Sequence, residues 1–508
     1  MIVLVHKNQK VIDVTSNIQF DINSYKGKLL SDVMILACKN FSDELIIWVS
    51  EFQRDNLNLD HFSKTFKHKR ILCSYHSEFV IDSALGYVEQ SPFIKINKEV
   101  KFPTWLMSDT VGGIYAQTFN SIYNNQFYTA NFTELMCSIA KAAQPFGLLT
   151  YSEPNLLINK EKIESVVVAN KIDLFSFVKK HYKFQWIFIL LFNLIIYENK
   201  FPLISFLKAI VTKKINSNIN LPNVDHVNKH EFFSSKVDVI IPTIGRTKYL
   251  EKVFECLANQ TILPNKIIVI EQNAIQNAPT ELNFIYDKTW PFKIEHQLIY
   301  QLGACNARNL ALQHLEGDYV FLADDDIEFE NDLIEISLQS LKSYQLEAAT
   351  IACLRVGDKP FFNTIFQWGT FGSGCSLVST NCLKGMSFDT SYEFGFGEDT
   401  DFGMRLRNKG FDIIYLPKPQ VLHLKAPMGG FRTKFVHPWE KDTILPKPAP
   451  TVLLFYLKYY SKEQLLGYKT ILFAKFYTKQ TIKNPFKYLK IMKMRWNKSM
   501  EWANKLNA

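Results

Sequence analysis

The sequence has no Cys-x-x-Cys pair. Its eight cysteines are scattered, and the nearest two in the chain are Cys375 and Cys382. That spacing excludes a disulfide scaffold and a cysteine-rich zinc site, and it fits a reducing compartment. The sequence also lacks any uninterrupted apolar run of about 18 or more residues, the length a bilayer-spanning helix needs. The nearest approach, WIFILLFNLIIY (Trp186 to Tyr197), stops at Glu198, Asn199 and Lys200 and reads as a core helix or an interfacial segment. The N-terminus, MIVLVHKNQKVIDV, has no basic start followed by a signal-type apolar run, and reads as a short strand. Acids are in the minority, 49 against 58 Lys and Arg, for a formal charge of +9. Such a surplus suits a phosphorylated substrate or an anionic membrane surface, with nucleic acid as a third class.

What is present is apolar and aromatic material: 47% hydrophobic residues in 508, with 41 Phe and 22 Tyr. A chain of this length is expected to divide into two or more domains. Residues 1–215 mix short strand and helix patterns and are expected to form a non-catalytic N-terminal α/β domain. The polar stretch NSNINLPNVDHVNKHEFFSSK, 216–236, has no apolar period and reads as a linker. From Val237 strands alternate with helices: VDVIIPT, YLEKVFECLANQ, KIIVIEQ, ACNARNLALQHLEG, YVFLA. The alternation predicts an α/β domain over 237–445 with a mainly parallel sheet covered on both faces. Ligands of such sheets gather beyond the C-terminal strand ends, where helix N-termini offer unpaired N–H groups. Pro242, Thr243, Glu271 and Asp324 to Asp326 all fall at that edge. The remainder, 446–508, is expected to be a helical extension. Between Lys479 and Lys505 eight basic side chains face one acid, Glu501, while Phe486, Leu489, Met492, Trp496 and Met500 recur every three or four residues. A basic amphipathic helix of this kind either docks on its own protein or rests, through 480–508, on an anionic membrane surface.

Three adjacent carboxylates, Asp324, Asp325 and Asp326, repel one another at the end of a buried strand. In an extended run Asp324 and Asp326 project to one side and Asp325 to the other. A divalent cation, Mg²⁺ or Mn²⁺, relieves the repulsion and completes its shell with phosphate oxygens. In YEFGFGEDTDFGMRLRNKGF, 392–411, helix capping accounts for one acid but not for three in a glycine-flanked loop. Asp399 is the preferred proton acceptor for an attacking hydroxyl, with Glu398 orienting acceptor hydroxyls. His423, in a short strand, offers an imidazole to an oxygen-rich metal shell. Trp368 with Gly369, Gly372 and Gly374 suits an acceptor pocket, and Arg246 and Arg308 are candidates to meet phosphates.

The order of these pieces, PT, EQN, GACNARN, ADDD, a glycine-rich loop, GEDTDF and VLH, resembles the family 2 glycosyltransferases over about residues 237–430. The resemblance implies a GT-A fold and a metal-dependent, inverting transfer from a nucleotide-diphosphate sugar, expected to be a UDP-sugar. The acceptor would be a hydroxyl of a glycan or a lipid-linked oligosaccharide in surface polysaccharide synthesis, and the enzyme cytoplasmic or peripheral on the cytoplasmic face of the inner membrane. It implies donor contacts from Pro242, Thr243, Arg246, Glu271, Arg308, Asp324 and Asp325, metal ligation by Asp324, Asp326 and His423, and the general-base role for Asp399. EQN replaces the consecutive aspartates of many members, which weakens any inference about the base. FPTWLMSDTVGGIYAQTF, 102–119, has the character of the loop at 368–385 and suggests a degenerate second GT-A-like unit, without an Asp-x-Asp. Rival readings are a sugar-phosphate nucleotidyltransferase, whose glycine- and lysine-bearing triphosphate loop is poorly matched by PTIGRTKYL, and a non-catalytic glycan-binding or scaffold protein. Nucleic acid is not expected as a partner, because the basic residues concentrate at the far C-terminus.

Overall fold

The computed structural model describes residues 1–16, 24–75, 82–160, 170–216, 218–427 and 435–508. Ser217 of the expected linker and residues 428–434 lie outside that set. The chain divides into two compact units, residues 1–225 with 460–472, and residues 226–459 with 473–508. The division falls inside the polar stretch at 216–236. Pro222 accepts from Arg70 Nε (2.6 Å) and Val227 N donates to Ser343 Oγ (3.2 Å), so each end of that stretch is held by its own unit. Of residues 446–508, 460–472 belong to the first unit and the others to the second.

The first unit contains strands β1 (Ile2–Lys7), β2 (Lys10–Ser16), β3 (Leu45–Ser50), β4 (Ile71–Tyr75), β5 (Phe102–Pro103), β6 (Val111–Tyr115) and β7 (Leu149–Ser152). The second contains β8 (Val237–Thr243), β9 (Lys266–Gln272), β10 (Lys293–Ile299), β11 (Tyr319–Ala323), β12 (Ile327–Phe329), β13 (Ala348–Leu354), β14 (Phe366–Gln367), β15 (Cys375–Ser379) and β16 (Ile413–His423). The β-branched runs of β8 and β9 are buried almost throughout, as internal strands of a covered sheet require. The second sheet runs β10-β9-β8-β11-β15-β13-β16-β12, with β14 on β16. Its members β10, β9, β8 and β11 are mutually parallel, β15 is antiparallel to β11 and β13, and β13 and β16 are again parallel.

This topology positions the site. The C-terminal ends of β8, β9, β11 and β16 point the same way, and β15, being reversed, starts at that same edge. Asp238, buried in β8, ties down the opposite edge by accepting from Glu316 N (2.6 Å), Gly317 N (2.7 Å) and Asn265 Nδ2 (2.8 Å). Ile240, Ile268, Val320, Leu322, Phe402 and Leu406 belong to one core cluster. That cluster joins the strands to the helices Ala304–Leu312 and Glu398–Asn408, which begin at the C-terminal strand edge.

The first unit repeats part of this plan. Its order β1-β3-β6-β4-β7 has the same parallel and antiparallel joins as β8-β11-β15-β13-β16. The short β5 lies antiparallel on β7 as β14 does on β16. Even a ladder-end bond recurs: Ser50 N donates to Thr110 O (2.8 Å) where Asp324 N donates to Gly374 O (3.0 Å). Ser50, Glu51 and Phe52 therefore stand in the places of the three aspartates. Glu51 pairs with Lys7 (2.8 Å) and Phe52 is exposed. The helix Phe132–Ala143 takes the place of Glu398–Asn408 and starts with Phe132 and Thr133 instead of two acids. Strands equivalent to β9 and β10 are replaced by the antiparallel β2.

The last helix, Pro485–Asn507, buries Tyr488, Met492, Trp496, Ser499 and Ala503. Its face is fixed within the second unit by Tyr488 Oη on Phe473 O (2.6 Å), Ser499 Oγ on Pro448 O (2.8 Å) and Trp502 Nε1 on Asp442 Oδ2 (2.7 Å). The buried stripe is rotated from the expected one: Phe486 and Leu489 are exposed.

Candidate active site

The chain bends after β11, and the three aspartates separate. Asp324 is the accessible one, its side chain 40% exposed, and its Oδ1 accepts from Arg308 Nη2 (3.2 Å). Asp325 is buried and accepts from Thr243 Oγ1 (2.7 Å) and from Arg246 Nη1. Asp326, 1% exposed, accepts from Ala426 N (2.9 Å) and lies 3.3 Å from His423 Nε2 and 3.4 Å from Arg246 Nη1. The strict alternation expected of an extended run is thus not followed. Asp325 does not turn away from the cluster, since Arg246 joins it to Asp326. A bend releases the pleat, and the arginine sets the direction instead.

Electrostatics follow the partners. Burial lifts the Asp325 carboxyl to about 6 against the pull of Arg246 and Thr243. Burial would raise Asp326 too, but the His423 hydrogen bond, the Ala426 N–H and Arg246 outweigh it and hold the carboxyl below the usual range. The Asp326 hydrogen bond in turn raises His423. Asp326 Oδ1 and His423 Nε2, 3.3 Å apart, have the spacing of adjacent ligands of one cation, since bonds of about 2.1 Å at right angles put donors about 3 Å apart. Among the described residues no group of three or more His, Cys, Asp or Glu is placed to hold a metal. The expected trio Asp324, Asp326 and His423 is therefore not brought together as one ligand set.

The second set of acids opens the helix Glu398–Asn408, whose N-cap, Gly397, has φ 116°. Asp399 Oδ1 accepts from the Ser373 hydroxyl. Burial raises the Asp399 carboxyl, with Arg308 and Ser373 opposing and Asp324 adding. Burial and the charge of Asp399 lift Glu398 to about 7. Arg308 is buried, and the charges of Asp324, Asp399 and Glu398 outweigh its desolvation to raise it further. One guanidinium thus feels both acid sets. The third acid, Asp401, is buried and serves structure, accepting from Tyr459 Oη (2.8 Å) and pairing with Arg405 (3.0 Å).

Other expected residues are placed as follows. Pro242 and Thr243 end β8. Glu271, at the end of β9, already accepts from Thr280 Oγ1 (2.6 Å), Glu281 N (2.8 Å) and His296 Nε2 (2.9 Å), so its carboxylate fixes the loop at 280–281 to the strand edge. Trp368 packs edge-on against Tyr415 (5.2 Å). Ser373 and Glu393 went unread in the sequence, and Gly374 was assigned only to an acceptor pocket. Ser373 holds Asp399. Gly374 lies so close to Asp324 that a Cβ there would sit 2.2 Å from its carboxyl carbon. Glu393 accepts from Cys305 N (3.1 Å) and Asn306 N (3.0 Å), capping the helix Ala304–Leu312 beside Gly303, whose φ of 140° only glycine adopts freely. Only the glycine-rich character of 368–374 and 392–397 signalled such close approaches.

Residues 238–390 match the family profile described as glycosyl transferase family 2. Glycosyltransferase GlyA of Streptococcus pneumoniae serotype 4 is 26% identical over 118 residues, 22% of this chain and 16% of the relative. Chondroitin synthase of Pasteurella multocida is 27% identical over 121 residues, 21% of this chain and 12% of the relative. The chain therefore spans less than a fifth of either curated relative. Of solved structures, S. aureus TarS 1–349 in complex with UDP-GlcNAc aligns with 53% of this chain and 74% of its own, at 15% identity and a TM-score of 0.33.

Proposed function

We propose that this chain, whose residues 238–390 form a family 2 glycosyltransferase segment, moves a sugar from a nucleotide-diphosphate donor to an acceptor hydroxyl with inversion at the anomeric carbon. The donor in this reading is a UDP-sugar, and the acceptor a glycan or lipid-linked oligosaccharide in surface polysaccharide synthesis on the cytoplasmic face of a membrane. The observation that carries it is the buried Arg308, which hydrogen-bonds Asp324 (3.2 Å) and feels the charges of Asp399 and Glu398. It ties a diphosphate-binding edge to a proton-accepting pair.

Asp399 takes the proton of the attacking hydroxyl, and Ser373 fixes the carboxylate that receives it. Glu398, beside it, holds the acceptor. Arg308 and Arg246 bear on the donor's phosphates, with Asp324, Asp325, Pro242 and Thr243 forming the strand-edge floor and Glu271 its nucleoside side. Asp326 and His423 would supply this chain's ligands to Mg²⁺ or Mn²⁺, with Asp324 facing the phosphates beside Arg308, and the ion would offset charge on the departing diphosphate. Burial of Thr243, Arg308, Asp325 and Asp326 strengthens their mutual electrostatics.

The test is release of nucleoside diphosphate by the full chain from a panel of UDP-sugars, with and without a lipid-linked acceptor. A chelator should stop turnover and Mn²⁺ restore it; turnover indifferent to both would remove the metal from the mechanism. Consumption of a nucleoside triphosphate with a sugar phosphate would point to nucleotidyl transfer instead.

Two further outcomes are expected. A base lifted by burial, as Asp399 is, works only when deprotonated, so kcat/KM should fall about tenfold per pH unit below its raised pKa and level off above it. A pH series on either side of that value checks the sign; a profile flat on the acid side contradicts the assignment. Gly374→Ala drives a methyl into Asp324 and displaces it from Arg308. Losing that charge-assisted bond should weaken UDP binding roughly tenfold or more, measured by calorimetric titration with the melting temperature unchanged.

A further inference from the structure

The first unit carries an apolar surface that its core does not use. The helix Trp186–Glu198 is apolar on nearly every side: Ile187, Leu190 and Leu194 join the core, while Phe188 and Phe192 on the other side are about half exposed. The turn that follows exposes Phe201, and the helix Leu203–Val211 buries only Ser205 and Ala209. That second helix leaves Ile204 70%, Leu207 60% and Val211 81% exposed. Phe188 meets Phe206 edge-on at 5.1 Å, so the two helices form one continuous face. Phe188, Phe192, Phe201, Ile204, Leu207 and Val211 are thus exposed as a group, unlike the singly scattered apolar residues usual on a monomer.

Its charge identifies what covers it. From Lys179 to Lys214 the sequence holds seven lysines and one acid, Glu198. Lys183, Lys200, Lys208, Lys213 and Lys214 are exposed, and Glu198 is already bonded to Lys200 (2.8 Å). A protein interface asks only for a polar rim. An apolar face with a rim of one sign is instead complementary to an anionic bilayer, with Phe and Leu at the acyl boundary and lysines reaching the headgroup phosphates. At 13 and 9 residues the helices are too short to span and would lie in the interface plane.

We propose that the helix pair Trp186–Glu198 and Leu203–Val211 is a docking face for an anionic lipid surface, separate from the basic C-terminal helix. The proposal stands independently of the sugar-transfer reading. The full chain is floated with vesicles of phosphatidylglycerol and phosphatidylcholine in equal parts, or of phosphatidylcholine alone. Binding is expected to the mixed vesicles and to weaken with salt. Ile204→Asp with Leu207→Asp should lower it at least about tenfold, and Lys208→Glu with Lys213→Glu and Lys214→Glu should abolish its salt dependence. Both sets replace exposed side chains, and an unchanged melting curve certifies the fold. Lys487→Glu with Lys490→Glu and Lys493→Glu, on the terminal helix, should leave binding intact. The proposal is overturned if the unaltered chain ignores mixed vesicles, if the Ile204/Leu207 variant binds as well as wild type, or if only the terminal-helix variant loses binding. It is equally overturned if the Ile204/Leu207 variant instead splits an oligomer in sedimentation while vesicles are not bound.

Discussion

Asp399→Asn is expected to lower kcat by about a thousandfold while leaving UDP affinity within about twofold, because a positioned general base contributes roughly 10²–10⁴. Asparagine keeps the shape of the side chain and can still accept from the Ser373 hydroxyl; it removes the ability to take a proton and the charge that Arg308 feels. Burial that raises Asp399 also makes it a stronger base than an exposed carboxylate, so the loss should be large. Glu398→Gln should cost far less and act mainly on acceptor KM, since the neighbouring carboxylate holds the acceptor rather than receiving its proton. Single-turnover measurements of sugar transfer separate the two. A wild-type rate in the Asp399 variant, or a greater loss at Glu398, would reassign the base.

Asp326→Ala is the second large effect, and it is double. Turnover should fall by roughly a thousandfold, because the variant loses one of the candidate ligands that offset charge on the leaving diphosphate. Stability should fall by about 2–3 kcal/mol as well, since His423 loses its partner and the Ala426 N–H its acceptor in a buried setting. Calorimetry and metal-dependent UDP titration on the same protein distinguish these losses. His423→Gln, which gives up the imidazole but not the buried carboxylate, should retain most of the stability and lose the metal response. Full Mn²⁺-dependent binding in the Asp326 variant would rule out its ligand role.

The strand-edge plan was legible because it rests on local chemistry. Runs such as VDVIIPT and KIIVIEQ bury nearly every side chain, and Gly410, at φ 93°, ends its helix by conformational preference. The acids at 324–326 and 398–399 were legible because buried carboxylates need a reason. What sequence could not give were pairings across long separations. Glu393 reaches helix N–H groups 87 and 88 positions earlier, and Gly374 matters only through its distance to Asp324. The direction of Asp325 was misread for a related reason, because Arg246 from another loop overrides the pleat. In the terminal helix Met492 and Trp496 belong to either of two adjacent stripes, and packing within the second unit selects the one through Tyr488 and Ser499 rather than Phe486 and Leu489. The half-repeat in the first unit was sensed only through its glycine–aromatic loop, since connectivity leaves almost no trace in composition.

That half-repeat sets a limit on re-engineering. Writing three aspartates at 50–52 and two acids at 132–133 would restore the lost side chains, yet the sheet there ends in the reversed β2 beside β1. In the proposed reading the parallel pair β9 and β10 would supply the wall against which a nucleoside lies, and the described residues of the first unit have no such pair. Substitution at those five positions alone would therefore leave acidic side chains without that wall.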